Sequence, residues 1–307
     1  MISKKRAERA IARAFPSSKI TSIKRFEKGL VNTTFDVKIQ SPNKNLVLRI
    51  FPDNPWKADK EEFLYSLIAK KTDVHVPKVY IIDKSKKIIP SSYLVMSKIE
   101  GNTIDVEYKK SRDKSLFIKA GETLAKIHSI KFKKFGWILG NKVYPAFRKW
   151  PQFLAYDINE KLKKINKSNI FTKKDILKCR IILGNMENLL DTKDQPCLLH
   201  KDYHFSHIIV NNNKISGIID FEWAIAGHNE LDIVKSEQWM FDKLPKLKPY
   251  FFRGYCRLAD ISKDYEKRKR LYEIILLISS IVFSYEMKNR KWLGYNINKI
   301  KNRLRRC

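Results

Sequence analysis

The residues best suited to chemistry lie close together in the segment 197–232. A polar stretch of eight residues follows the apolar pair Leu198-Leu199, and a further acid comes after two more apolar runs, at 208–210 and 215–219. The histidines and acids among them are His200, Asp202, His204, His207 and Asp220. The turn residues 211–214 between the apolar runs predict a pair of strands. Because strands hold the side chains of adjoining loops in place, this segment predicts a functional site.

Two chemistries fit these residues, and a solvated turn with incidental histidines fits them poorly. All five side chains are possible metal ligands, as in a metallohydrolase. In phosphoryl transfer, an Asp positions the attacking hydroxyl, a residue five positions later binds metal, and a later Asp binds the nucleotide's Mg²⁺. The spacing of five between Asp202 and His207 favours this second chemistry. The loop alone leaves both readings open.

Upstream, three predicted strands form a β-meander. They span residues 20–26, 35–40 and 46–51. The first turn contains Gly29 and several small hydroxyl or amide residues, and such a turn can direct backbone N–H groups at phosphates. It has neither a G-x-G-x-x-G nor a Walker pattern, so an ordinary hairpin is the better interpretation of this turn taken alone.

One strand of the meander contains a cation. Arg49 lies among apolar residues and must be paired or lie at an exposed edge, because burying an unpaired guanidinium is very costly. The following segment, 57–71, predicts a helix on which Glu61 shares a face with Leu64 and Ile68. Glu61 is therefore the expected partner of Arg49, and Glu62 is the less favoured choice.

The rest of the chain is mostly helical in pattern. Helices are predicted at 117–130, 151–166 and 173–190, and from Asp232 to the end. We expect His128, near the end of the first of these, to be packed there rather than catalytic. The sequence thus predicts an α+β fold of two lobes. If the segment 197–232 performs phosphoryl transfer, residues 1–97 would be a β-rich nucleotide-binding lobe with a basic helix and one further helix, and residues 98–307 would be a helical lobe carrying the catalytic and metal loops.

Composition limits the class of protein. The net charge of +31 attracts polyanions and allows non-specific contact with nucleic acid, but its diffuse spread favours a compositional bias as the explanation. Four scattered cysteines without a CxxC pattern indicate reduced thiols and a cytoplasmic protein. The longest apolar run, 274–283, is too short to span a bilayer and predicts a buried helix.

Two segments carry a resemblance to a known family. The chain resembles the aminoglycoside phosphotransferase/choline kinase-like branch of the kinase fold in two segments. These are LLHKDYHFSHIIV and ISGIIDFEWAIAG, the second of which is followed by Asp232. In that family the first segment usually reads H-G-D-hydrophobic-H-P-x-N. The resemblance runs from about Ile20 to Trp239 and implies a bilobal protein-kinase-like fold.

The resemblance also implies a role for each matched residue. Asp202 would be the catalytic Asp, Asp220 the metal Asp, and Asp232 a structural acid. His207 occupies the metal-binding Asn position, as a similar His does in the aminoglycoside 2″-phosphotransferases. The implied nucleotide-binding residues are Gly29, Asn32, Thr33 and Thr34 in the loop, Arg49 with Glu61, and Met96, Ser97 and Ile99 at the hinge, where backbone groups of Ser97 and Ile99 would meet adenine.

The implied activity is an ATP- or GTP-dependent phosphotransferase that uses Mg²⁺, with Mn²⁺ as a second option. Its acceptor would be a hydroxyl of an aminoglycoside-, choline- or sugar-like molecule. Aminoglycosides are polycations that need acidic pockets, and the candidates for a local acidic cleft are Asp157, Glu222, Glu230 and Glu237. The alternative is a catalytically weak or inactive kinase-like protein that binds a polyanion through its basic surface.

Overall fold

The computed structural model describes residues 2–26, 32–52, 54, 56–185 and 187–305. Its N-terminal part is a five-stranded antiparallel sheet of order β1-β2-β3-β5-β4. The strands are β1 (Lys19–Arg25), β2 (Thr33–Gln40), β3 (Lys44–Phe51), β4 (Val79–Asp83) and β5 (Ser92–Ser97). The predicted meander forms the first three strands.

The central strand β3 is buried on both faces, which explains its continuous apolar sequence. Leu46 and Leu48 face a core shared with helix α1 (Lys4–Ala12), whose Ala7, Ala10 and Ile11 are fully buried. Val47 and Phe51 face helix α2 (Trp56–Lys71) on the other side. Because side chains alternate along a strand, Arg49 points to the α2 side as well.

Two smaller antiparallel sheets follow. One has the order β11-β10-β6 and the other the order β8-β7-β12-β9. Their strands are β6 (Asn102–Thr103), β7 (Phe135–Leu139), β8 (Lys142–Phe147), β9 (Cys197–Leu199), β10 (Ile208–Asn211), β11 (Lys214–Ile218) and β12 (Ile225–Gly227). The β10–β11 pair was predicted from the sequence. The β7–β8 hairpin was not, because β7 is completed by pairing with the distant β12.

Helices make up the remainder. They are α3 (Ile104–Ser111), α4 (Ser115–His128), α5 (Trp150–Lys167), α6 (Lys173–Asn185), α7 (Glu187–Leu190), α8 (Glu230–Ser236), α9 (Lys248–Tyr255), α10 (Tyr265–Glu286) and α11 (Arg290–Leu304). The apolar run 274–283 forms the buried middle of α10, as predicted. In the part of the chain that is described, no helix is both long and apolar enough to cross a bilayer. The predicted α+β class, with β-rich N-terminal and helical C-terminal parts, is confirmed.

Candidate active site

The polar segment between β9 and β10 is a loop whose backbone is fixed from two sides. The Asp232 carboxylate, in the first turn of α8, accepts hydrogen bonds from the N–H groups of His200 at 2.6 Å and Lys201 at 2.7 Å. His200 donates from Nε2 to the Ile219 carbonyl at 3.0 Å, and its Nδ1 accepts from the Asp202 N–H at 3.2 Å. Burial lowers the pKa of His200 to about 4, so the ring is neutral, as this pattern requires.

Asp232 has a third partner in α4. His128 is buried, with Nε2 3.3 Å from Asp232 Oδ2 and Nδ1 2.8 Å from the Tyr255 hydroxyl. As the sequence indicated, His128 packs at the end of its helix. It also braces the acid that holds the loop.

The Asp202 carboxylate is surrounded by nitrogen groups. His204 Nε2 lies 3.4 Å from Oδ2, and Lys235 Nζ lies 3.7 Å from Oδ1. Burial by itself would raise the pKa of Asp202, but the hydrogen bond from His204 and the charge of Lys235 outweigh it and hold the pKa far below its usual range. Asp202 is therefore ionised throughout the physiological range.

His207 lies between Asp202 and Asp220. Its Nδ1 is 2.9 Å from the Asp202 backbone oxygen, which only accepts, so this contact favours the tautomer that has its hydrogen on Nδ1. Its Nε2 then holds the lone pair and lies 3.7 Å from Asp220 Oδ2. A backbone hydrogen bond that fixes the tautomer in this way is typical of metal-binding histidines.

Two sets of donor atoms fit a divalent cation. Asp202, His204 and His207 offer atoms within 4.8 Å of one another. However, His204 Nδ1 accepts from the Ser206 N–H at 3.3 Å, so its Nε2 carries a hydrogen and faces Asp202 as a donor. The His207–Asp220 pair keeps both a free lone pair and a carboxylate oxygen, so this pair is the better candidate to hold Mg²⁺ or Mn²⁺.

Arg49 connects the N-terminal sheet with this site. It pairs with Glu61, the partner that helix periodicity favoured, and its Nη2 lies 3.5 Å from Asp220 Oδ2. Burial works against the charge of the guanidinium, but Glu61 and Asp220 outweigh it and raise the pKa of Arg49. Arg49 Nε and Glu61 Oε2 are buried without a hydrogen-bond partner in the described residues. One donor and one acceptor atom are therefore available beside the candidate metal ligands.

The other expected nucleotide-binding residues are partly brought together. Asn32 donates from Nδ2 to Glu222, two residues beyond Asp220, while Thr33 and Thr34 lie in β2 opposite Ile50 and Arg49. Gly29 lies outside the described residues.

At the expected hinge, Met96 is buried in β5. The Ser97 N–H donates to the Lys78 carbonyl at 2.8 Å, just before β4, and the expected contact of Ser97 with adenine stays a prediction. The backbone of Ile99 makes no hydrogen bond to a described residue, which leaves it as the available hinge group.

The expected acidic cleft does not form, because all four acids are buried and paired. Asp157 pairs with Lys161, Glu222 with Lys57, and Glu230 with Arg268. Glu237 contacts Lys248 at 2.8 Å and Lys269 at 2.5 Å. Sequence reasoning also missed Lys235, which reaches Asp202 from α8. Its only sequence signal is its place one helical turn after Asp232.

Comparison with known proteins shows where this chain belongs. Residues 22–271 match the phosphotransferase enzyme family. A probable ketoamine kinase of Vibrio cholerae is 27% identical over 222 residues, which is 68% of each chain. The solved aminoglycoside phosphotransferase APH(4)-Ia covers 99% of both chains with a TM-score of 0.77 at 15% identity. A putative fructosamine-3-kinase from Thermobifida fusca covers 97% of this chain and 99% of its own, with a TM-score of 0.74 at 16% identity.

The chain belongs to the phosphotransferase enzyme family, and its fold is the kinase-like fold of the aminoglycoside phosphotransferases. It is a small-molecule kinase, which confirms the class of enzyme expected from its motifs. The roles of individual residues, that of His207 above all, stay predictions.

Proposed function

We propose that this enzyme transfers the γ-phosphate of ATP or GTP to a hydroxyl group of a sugar-like small molecule. The observation that carries the proposal is the arrangement around Asp202. An ionised carboxylate in a braced loop lies next to the His207–Asp220 pair, and Arg49 reaches the same Asp220 from the N-terminal sheet. Phosphoryl transfer needs these parts, which are a residue to orient the hydroxyl, metal ligands and a cation for the phosphates.

In this scheme the Asp202 carboxylate accepts a hydrogen bond from the acceptor hydroxyl and then its proton. Because its pKa is held low, Asp202 is a weak base that orients the hydroxyl more than it activates it. Weak activation is sufficient for a loose transition state, in which little bond to the attacking oxygen has formed. Arg49, held by Glu61, contacts the phosphates. Asp220 and His207 would hold Mg²⁺ or Mn²⁺, which supplies positive charge to the phosphate oxygens.

The nature of the relatives supports a nucleotide donor and a small acceptor. A thermostable variant of APH(4)-Ia has been solved with AMP-PNP and hygromycin B bound together, and the Vibrio cholerae relative is a probable ketoamine kinase. Since the four acids proposed for a polycation cleft are paired internally, we favour a sugar-like acceptor over a polycationic aminoglycoside. We further propose a cytoplasmic location, where both ATP and sugar-like acceptors occur.

The test has two stages. Thermal unfolding is first followed with ATP and with GTP, each with and without Mg²⁺, and we expect stabilisation that requires the metal. A panel of amino sugars, ketoamines, choline and aminoglycosides is then screened for transfer of labelled γ-phosphate. Metal-dependent nucleotide binding without transfer to any acceptor would favour the inactive, polyanion-binding alternative. Absence of nucleotide binding would refute the proposal.

A further inference from the structure

A group of lysines surrounds one indole ring beside the catalytic loop. The ammonium groups of Lys201, Lys161 and Lys60 lie 4.1, 5.7 and 6.0 Å from the centre of the Trp137 ring. They come from the catalytic loop, α5 and α2, while Trp137 belongs to β7. The ring attracts the cations through its face and leaves their N–H groups able to bind something else.

The acids nearby do not balance these charges. Asp157, to which the Trp137 indole also hydrogen-bonds, pairs with Lys161. The other nearby acid, Glu222, pairs with Lys57 at 2.5 Å. Among the described residues no carboxylate oxygen lies within 4.0 Å of Nζ in Lys60 or Lys201. Two ammonium groups are therefore in excess.

Both excess cations are costly to keep in place. Lys60 is fully buried, and among the described residues its Nζ hydrogen-bonds only to the Glu222 carbonyl, at 2.7 Å. Lysines are rarely buried without an acid. Burial lowers the pKa of Lys60 and of Lys201 to about 7, as expected when compensating charge is insufficient.

Lys201 has a second cost, in its backbone. Its φ of 63° is in the left-handed region, which favours glycine, and the H-G-D pattern that this loop resembles has glycine at this position. Interactions of the Lys201 side chain must therefore offset this backbone cost.

We propose that Lys60, Lys161 and Lys201 form, around Trp137, a binding site for one phosphate group. Three ammonium groups within 6.0 Å of one ring centre provide a donor for each of the three terminal oxygens of a phosphate. A phosphate carries about −1.5 to −2 charges near neutral pH, which offsets the two excess cations, whereas a carboxylate offsets one. Because Lys60 precedes Glu61 and Lys201 precedes Asp202, the bound phosphate joins α2 to the catalytic loop and orders the groups on both.

The phosphate has two chemical sources. It is either part of a phosphorylated acceptor or a free phosphate ion that acts as an effector. The site itself stands on geometry alone, and only the acceptor source rests on the proposed function.

The probe is inorganic phosphate, titrated calorimetrically at low ionic strength into the full chain, with and without AMP-PNP. The second condition removes any phosphate binding at the nucleotide site. We expect one phosphate per chain in both conditions. Lys201→Gly and Lys60→Met should each weaken binding about tenfold, the loss expected for one charged hydrogen bond. Lys163→Met, which removes an equal charge from an exposed position of α5, should bind as the wild type does.

Lys201→Gly also serves as a check on folding. Glycine adopts the left-handed backbone without strain, so the thermal stability of Lys201→Gly should equal or exceed that of the wild type while its phosphate binding is weakened. Wild type that binds no phosphate in the presence of AMP-PNP would overturn the inference, as would Lys201→Gly binding as tightly as wild type. Calorimetry needs no turnover, so the phosphate titration can be interpreted even if the enzyme transfers phosphate to none of the acceptors.

Kinetics then separate the two sources. If inorganic phosphate inhibits competitively against the acceptor found in the transfer screen, the site binds a phosphorylated acceptor. If phosphate raises the affinity for AMP-PNP and does not compete with the acceptor, the site binds a free phosphate ion as an effector. Either result supports the site.

Discussion

At the scale of single residues, Asp202 is set apart by the groups that keep it charged. His204 and Lys235 approach its two carboxylate oxygens from different elements, so its ionisation does not depend on either alone. A low pKa makes Asp202 a weak base, and its contribution is then to position the acceptor hydroxyl and receive the proton late.

We expect Asp202→Asn to reduce phosphoryl transfer by about 10²- to 10⁴-fold while nucleotide affinity stays nearly unchanged. The amide keeps the shape of the side chain but cannot take up the proton. Steady-state turnover and AMP-PNP titration measure the two effects, and Asp242→Asn, an exposed acid, is the control. If Asp202→Asn turns over normally, the catalytic role belongs to another residue.

His207 gives a test of the metal site. His207→Ala removes the Nε2 lone pair, so the metal concentration needed for half-maximal rate should rise by about 10- to 100-fold. His207→Asn supplies an amide oxygen, and it should stay active and shift its preference from Mn²⁺ toward Mg²⁺. Initial rates against metal concentration for the three proteins measure this. An unchanged metal requirement in His207→Ala would show that His207 only packs in the loop.

At the scale of elements, α8 holds the catalytic loop through one carboxylate. Asp232→Ala should leave the buried N–H groups of His200 and Lys201 without acceptors and cost about 3 kcal/mol of stability. Urea unfolding measures the change. Asp242→Ala removes an exposed acid from the same region and should cost at most about 1 kcal/mol. Equal effects of the two substitutions would contradict the bracing role of Asp232.

A second carboxylate ties α1 to the N-terminal sheet. Asp83 is buried, which by itself raises its pKa, but hydrogen bonds from Ser85, Tyr93 and Arg13 lower the pKa to about 2. A lowered pKa in the folded state gives stability that is present above about pH 4 and is lost as the pH falls toward 2. Asp83→Asn should therefore be less stable by roughly 2 kcal/mol at pH 6.

The stability difference between Asp83→Asn and wild type should shrink steadily as the pH is lowered from 4 to about 2, because protonation removes the same charge from the wild type. Urea unfolding at a series of pH values measures it. A difference that does not depend on pH would mean that the substitution acts through shape and not through charge.

At the scale of the whole molecule, the charge of +31 is spread over many elements. We expect any binding of nucleic acid to be independent of sequence, and to weaken at least tenfold between about 50 and 200 mM salt as counterions are no longer released favourably. Fluorescence titration with two unrelated DNA duplexes over a salt series tests this. Tight binding that persists at physiological salt would point to a dedicated polyanion partner.

The sequence by itself determined the features that depend on local spacing. A lone cation among the apolar residues of β3 and the periodicity along α2 were enough to make Glu61 the expected partner of Arg49, because an unpaired buried charge is costly and helix geometry is fixed by the backbone. The order of Asp202, His207 and Asp220 around two apolar runs likewise indicated phosphoryl transfer before any contact was known. Gly29 remains a prediction from sequence, since it lies outside the described residues.

Only the tertiary structure decided which charges meet. The β7–β8 hairpin brings Trp137 to lysines that are 77, 24 and 64 positions away in the chain, and no local pattern encodes such a meeting. Packing also paired Glu222 with Lys57 and Glu230 with Arg268, which are distant in the chain, and this removed two of the acids from the cleft that composition allowed. Partner choice among distant ionisable groups depends on burial, because desolvation decides which charges must be neutralised. Burial is a property of the assembled fold and not of the sequence around each residue.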